Sequence, residues 1–184
     1  TGDIVVYTDS SGPDDDIYYF DLNSNAGARL EPSSGDQQFS DVSDNLVVFA
    51  DFGAIPLPNV AAVNISTNAQ TEIDGPGESQ INPATDGGVV VYEYTVSSKR
   101  KIGLHCLEAA SFCESGEQYG ITDLSTDDLE RYPSINGEFV VFQRFVSPVN
   151  IFDEPNIIIH NLISGEEIDL GKGRRPDIDG SKVV

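Results

Sequence analysis

Pro133-Ser134-Ile135-Asn136-Gly137-Glu138-Phe139-Val140-Val141-Phe142 decides the fold, because its apolar core returns along the chain. Phe139-Val140-Val141-Phe142 is matched by Ile4-Val5-Val6-Tyr7, Leu46-Val47-Val48-Phe49 and Val89-Val90-Val91-Tyr92, and again at the end by Lys182-Val183-Val184. The markers Val5, Val47, Val90, Val140 and Val183 lie 42, 43, 50 and 43 residues apart. A period of this length marks a repeated supersecondary unit.

Three further runs recur around each marker. The first comprises Ile17-Tyr18-Tyr19-Phe20-Asp21-Leu22, Val60-Ala61-Ala62-Val63-Asn64-Ile65, Ile102-Gly103-Leu104-His105-Cys106-Leu107 and Ile157-Ile158-Ile159-His160-Asn161-Leu162. Asp or Asn at its fifth place is turn chemistry, since Asx side chains bond their own backbone; Cys106 is the exception. A weaker closing run follows (Ala28-Arg29-Leu30, Gln70 to Ile73, Tyr119-Gly120-Ile121, Glu167 to Leu170). Another precedes each marker (Ser40 to Ser43, Pro83 to Asp86, Pro133 to Asn136, Pro176 to Asp179), and then comes a turn at Asp44, Gly87, Gly137 or Gly180.

Each unit therefore reads as four short strands rich in β-branched and aromatic residues. The marker runs are apolar at consecutive positions, so both faces of those strands are expected to be buried. A four-stranded antiparallel sheet covered in front and behind is a propeller blade. We expect an all-β β-propeller of about four blades in one domain, 1–184. Its units are about 2–43, 44–86, 87–136 and 137–179, with a fifth beginning at 180–184.

The pattern Pro-x-Ile-x-Gly-x-x-Val-Val-Phe/Tyr followed by Ile-x-x-x-Asp-Leu-x-Ser resembles TolB-type, WD-repeat-like propeller repeats. It is most similar to the tandem repeats of archaeal and bacterial cell-surface proteins. The resemblance spans nearly the whole chain and implies the fold. It leaves function open, because such repeats serve as binding platforms, enzyme-attached domains and surface-layer parts.

Label the strands A (inner) to D (outer). The chain then begins on a B strand, and Arg175-Pro176-Asp177-Ile178-Asp179 is a spare A strand. That strand would close a four-blade ring, yet Lys182-Val183-Val184 claims the place of Ile4-Val5-Val6. Three arrangements stay open: part of a larger propeller, a closed four-blade ring with a frayed tail, or ends that complete blades on a neighbouring copy.

Composition narrows the partners. Of 184 residues 31 are Asp or Glu against 10 Lys or Arg, a formal net charge of −21, and 39% are hydrophobic. Nucleic acid and anionic membrane surfaces both require a basic face. No stretch approaches the roughly 20 apolar residues of a membrane span, and no basic, apolar leader is present. The acids fall mainly in loops (Asp14 to Asp16, Asp74, Glu78, Asp127, Asp128, Asp153, Glu154), a surface coat suited to a salty or cation-rich exterior.

Candidate sites are few. Cys106 and Cys113, the only cysteines, suit a local disulfide and an extracytoplasmic setting, and their spacing fits no zinc pattern. Asp9, Asp14, Asp15 and Asp16 surround a Gly12-Pro13 turn and are candidate Ca²⁺ ligands, since that ion takes several oxygens. Asp123, Asp127, Asp128 and Glu130 read as solvated surface. Asn64-Ile65-Ser66 is a glycosylation sequon. His105 and His160 share one repeat position and read as structural. Asp41 and Asp177 on inner strands are candidate ligand-binding residues at the channel mouth.

No catalytic motif stands out. The leading expectation is a non-catalytic structural or interaction module, extracellular, on the cell surface or periplasmic, that meets a protein or glycan partner or copies of itself. The alternative is a carbohydrate- or peptide-acting enzyme, or its propeller domain, that uses channel-mouth acids. A periplasmic scaffold like the translocation-associated TolB proteins is a third reading, disfavoured by the lack of a distinct N-terminal domain.

Overall fold

A computed structural model describes residues 3–30, 35–53, 57–73, 75, 78–122, 125–147 and 152–184. Asp74 and Asp123 lie outside them. Every regular element among the described residues is a β-strand. The first sheet holds β1 (Ile4–Asp9), β2 (Asp16–Asp21) and β3 (Ala26–Arg29). The second holds β4 (Gln37–Ser43), β5 (Leu46–Asp51), β6 (Asn59–Asn64) and β7 (Ala69–Ile73). The third holds β8 (Ser79–Asp86), β9 (Val89–Val96), β10 (Lys99–Cys106) and β11 (Gln118–Gly120). The fourth holds β12 (Leu129–Asn136), β13 (Phe139–Phe145), β14 (Asn156–Asn161) and β15 (Glu167–Lys172). A final hairpin pairs β16 (Ile178–Asp179) with β17 (Lys182–Val183).

Turn chemistry explains the strand breaks. Asp21, Asn64 and Asn161 each accept the N–H two residues on, at 2.8, 3.0 and 2.8 Å. Four residues after each, Asn25, Asn68 and Gly165 take positive φ, which these residue types tolerate best. The A–B turns use Asp44, Gly87, Gly137 and Gly180, with φ between 52° and 57°. Where Cys106 displaces the Asx residue, a disulfide to Cys113 holds the longer loop instead.

The sheets stack through three apolar cores. Val47, Phe49 and Val63 meet Ile17 and Leu30 of the first sheet. Val48, Val60 and Ile73 meet Val90, Tyr92 and Tyr94 of the third. Val91, Ile102 and Leu104 meet Val140, Phe142 and Ile158 of the fourth. Alternate residues of one marker run thus serve opposite interfaces, and each large apolar side chain buried stabilises by about 1.5–3 kcal/mol.

Polar contacts fix the register between sheets. A glutamine at the start of an inner strand donates its backbone N–H to a loop carbonyl of the preceding sheet, Gln37 to Asp15 at 2.7 Å and Gln80 to Pro58 at 2.8 Å. Asp41 accepts the Thr85 N–H at 2.9 Å, and Asp86 accepts the Gly137 N–H at 2.6 Å.

Three expectations need correction. The first marker run is not covered on both faces: Val5 is 45% and Tyr7 47% exposed, whereas Val47, Val90 and Val140 are fully buried. No described sheet packs on that side. The closed four-blade ring does not form, because β16 pairs with β17 across its own turn, Ile178 opposite Val183. Glu130 is no solvated acid; it is 1% exposed. The inner strands also begin earlier than read, at Gln37, Ser79 and Leu129.

Candidate functional site

Those longer inner strands contain a bulge that the repeat conserves in geometry. The ladder shifts between Gln38 and Asp41, between Ile81 and Ala84, and between Arg131 and Ser134. The bulged residues Phe39, Asn82 and Tyr132 have φ of 57°, 50° and 54°, and Arg175, at the same repeat position before β16, has 51°. Pro83, Pro133 and Pro176 follow three of them. Proline has no N–H for the ladder, so a bulge is where a strand accommodates it.

Each of these positions turns its side chain into one shared cleft, and the neighbouring sheet holds two of them there. Glu93 accepts the Tyr132 N–H at 2.8 Å, and Gln143, its repeat counterpart, accepts the Arg175 N–H at 3.1 Å. Glu93 is 1% exposed and also pairs with Arg100 at 3.1 Å and Arg131 at 3.7 Å.

The result is a cleft of about 430 Å³ with Phe39, Asn82, Arg100, Arg131, Tyr132 and Arg175 among its lining. An adjoining hollow of about 310 Å³ shares Arg131, Tyr132 and Arg175 and adds Arg174. Four of the six arginines therefore converge here, and among the described residues no Asp or Glu lines either hollow. The Tyr132 ring is in contact with two guanidinium groups, 4.9 Å from Arg131 and 5.3 Å from Arg175. Cations over an aromatic face gain from its quadrupole.

A second charged array lies deeper. Lys101 is fully buried, 3.7 Å from Glu130, whose other oxygen accepts from Arg144 at 2.8 Å. Arg144 then grips Glu167 with both terminal nitrogens, at 2.6 and 2.9 Å. Burial pushes the Glu130 carboxyl up despite the opposing Thr122, Lys101 and Arg144. Glu167 is held down at about 2 by His160 and by Arg144.

No protein-family model and no curated protein matches the sequence, whereas solved structures match the fold. TolB from Acinetobacter baumannii superposes with a TM-score of 0.68 at 12% identity, over 92% of this chain and 41% of that one. The β-propeller domain of the Trilobed protease from Pyrococcus furiosus gives 0.65 at 16%, over 96% of this chain and 56% of that one. A chain of the nidogen/laminin complex gives 0.60 at 11%, over 92% and 61%.

The fold is that of a β-propeller. The chain spans less than two thirds of the length of each of these matched chains, and its own blades form an open arc.

The acids expected at the mouth, Asp41 and Asp177, are not among the residues that line either hollow. Asp41 lies two residues beyond its bulge and spends Oδ2 on the Thr85 N–H of the next blade. Burial raises its pKa, and Asp177 and Asp86 add to the shift. Asp177 accepts from the Ser134 hydroxyl at 2.6 Å and from its own neighbour Ile178. Both are inter-blade or local anchors.

The acidic loop is likewise engaged. Asp9 accepts from the Ser11 N–H at 2.9 Å, Asp15 accepts from Gln38, and Asp16 pairs with Arg29 at 2.7 Å. Asp14 extends the same loop. Among the described residues no three His, Cys, Asp or Glu side chains converge to hold a metal ion. Asn64 spends Oδ1 on the Ser66 and Thr67 N–H groups. His105 and His160 occupy equivalent places, beside Gln118 and Glu167.

The arginine cleft is not legible in the sequence, because its members are scattered along the chain and meet only through tertiary packing. The recurring prolines within the inner runs were the available signal, since a strand proline points to a bulge.

Proposed function

We propose that this chain is a non-catalytic interaction module that presents a propeller channel mouth to a partner outside the cytoplasm. The observation carrying this reading is the set Phe39, Asn82, Tyr132 and Arg175, four different side chains at one strained repeat position around one cleft. Positive φ at a non-glycine residue costs of order 1–3 kcal/mol and persists where surrounding structure enforces it. The repeat itself needs no such variety.

Supporting features point the same way. The nidogen neighbour was solved in a complex with laminin, which favours a protein partner over a glycan. The Cys106–Cys113 disulfide favours an oxidising compartment, extracellular, cell-surface or periplasmic.

An array of peptides and glycans tests the reading. Binding lost in Tyr132→Ala, without turnover, is the expected result. Turnover of a glycan or peptide that Asp41→Asn or Asp177→Asn abolishes would overturn it in favour of the enzyme reading.

Self-assembly is a second reading, favoured by the exposure of Val5 and Tyr7 where their counterparts are buried between blades. Sedimentation should then show association that Val5→Ser/Tyr7→Ser abolishes; a concentration-independent monomer removes the idea. Calcium at the Asp9–Asp16 loop is a separate proposal, in which the ion displaces Gln38 and Arg29 from their carboxylates. Calorimetric titration with neither heat nor a melting shift removes that one.

A further inference from the structure

The interaction reading leaves the ligand's chemistry unstated, and the cleft specifies it. The chain has 31 acids in 184 residues, yet among the described residues none lines the two hollows, while four arginines do. Their state is uneven. Arg100 and Arg131 lean on the single carboxylate of Glu93 beneath them. Arg174 donates to the Asp153 carbonyl at 3.3 Å. Among the described residues Arg175 has no carboxylate partner, and its guanidinium rests on the Tyr132 ring. The cleft thus holds more guanidinium than carboxylate, in a molecule whose charge is overwhelmingly the reverse.

We propose that this cleft is a recognition site for a short acidic peptide segment, held by carboxylate–guanidinium pairing at Arg100, Arg131 and Arg175 against the Tyr132 ring. The proposal rests on the interaction reading and adds the ligand class. Guanidinium forks match planar carboxylates through two parallel hydrogen bonds, and such charge-assisted bonds are about twice as strong as neutral ones. Phe39, Pro83, Pro133 and Pro176 supply apolar surface between the charges, which suits peptide backbone and aliphatic carbons.

Charge also limits the ligand's length. A net charge of −21 repels a long polyanion wherever it leaves the cleft. At physiological salt the screening length is roughly 8 Å, so a few carboxylates seated on the arginines feel mainly their contact partners. A short acidic segment meets both conditions, and a nucleic acid or polyuronate chain does not.

The test is fluorescence anisotropy with a labelled, capped Asp-Glu-Asp tripeptide and its neutral isostere Asn-Gln-Asn, with oligogalacturonate and inorganic sulfate as competitors. The acidic peptide should bind and the neutral one should not. Arg175→Gln should weaken binding at least about tenfold, the scale of one lost charge-assisted bond, with a melting temperature lowered by no more than one exposed cation–π contact accounts for, because among the described residues that side chain has no carboxylate partner. Arg174→Gln provides a second variant at the rim and should weaken binding less.

No binding of the acidic peptide overturns the proposal. So do equal binding of the neutral isostere, displacement by sulfate at equal concentration, tighter binding of oligogalacturonate, or an unchanged affinity in Arg175→Gln. Cleft-dependent capture of a neutral peptide on the array would sink the acidic specificity and leave the interaction reading standing.

Discussion

Glu93 of the third blade accepts the backbone N–H of Tyr132 in the fourth at 2.8 Å, and the same carboxylate holds Arg100 at 3.1 Å. One buried group thus fixes both a strained mouth residue and a cleft cation. Gln143 makes the equivalent bond to Arg175 without a charge. Glu93→Gln should therefore keep the acceptor and lose about 1 kcal/mol, mainly from half-exposed arginine pairs. Glu93→Ala strands a buried N–H and should lose about 3–5 kcal/mol. Urea unfolding of the two variants checks the contrast; equal losses would refute it.

Lys101 is fully buried against Glu130, and Glu130 stands at the repeat position that Gln37 and Gln80 occupy in the second and third blades. Removing Lys101 leaves the buried Glu130 with Arg144 as its remaining cationic partner, so Lys101→Met should cost less than the roughly 3–5 kcal/mol of a buried pair broken outright. The double variant Lys101→Met/Glu130→Gln removes both charges of the pair, leaves Arg144 on Glu167 and should recover part of that loss. A double-mutant cycle in urea measures the coupling, and additive costs would show that the pair is not coupled.

Two carboxylates set opposite pH trends. Glu167 is held down at about 2, against an ordinary 4.5, by His160 and Arg144. Its folded form binds the proton less readily than the unfolded chain. Its contribution is therefore present above 4.5 and is lost as pH falls through that window. Asp41 is raised by burial, with Asp177 and Asp86 contributing, so it lowers stability as pH rises from 3.8 through its raised value. Asp41→Asn keeps an acceptor for the Thr85 N–H and should raise the melting temperature near neutrality. The gain should vanish at pH below 3.8. A gain that persists in acid would show that charge is not its cause.

Reducing Cys106–Cys113 should lower stability by about 2–3 kcal/mol, the scale for a short closed loop. Both sulfurs sit in the core between the third and fourth blades, with Cys106 fully buried. Melting with and without reductant reads the effect. Alkylation before reduction should modify neither cysteine, and a thiol that reacts would contradict the bond.

Much of the architecture was legible because it rests on local chemistry that repeats. Val47, Val90 and Val140 announce the blades, and Asp21, Asn64 and Asn161 announce their turns. The open arc was not legible, since the same Lys182-Val183 run suits a ring, an arc or a neighbouring copy, and only pairing decides. The candidate residues legible in the sequence differ from those that line the cleft. Asp41 and Asp177 were on the right strands, but a bulge shifts side-chain direction, so residues two places earlier line the mouth. Arg100, on an adjacent strand, reaches the cleft only through tertiary packing. Lys101 and Glu130 look like surface charges in a polar run, and only their mutual burial reveals a core pair.

The bulge has an engineering consequence. Positions 39, 82, 132 and 175 hold an aromatic amide-free ring, an amide, a phenol and a guanidinium at nearly one backbone geometry, with φ spanning only 50° to 57°. At two of them the fixing hydrogen bond comes from another blade and reaches main chain. The identity of the displayed group is thereby uncoupled from the device that aims it. Randomising these four codons would give a library whose members share one frame and differ in what they capture.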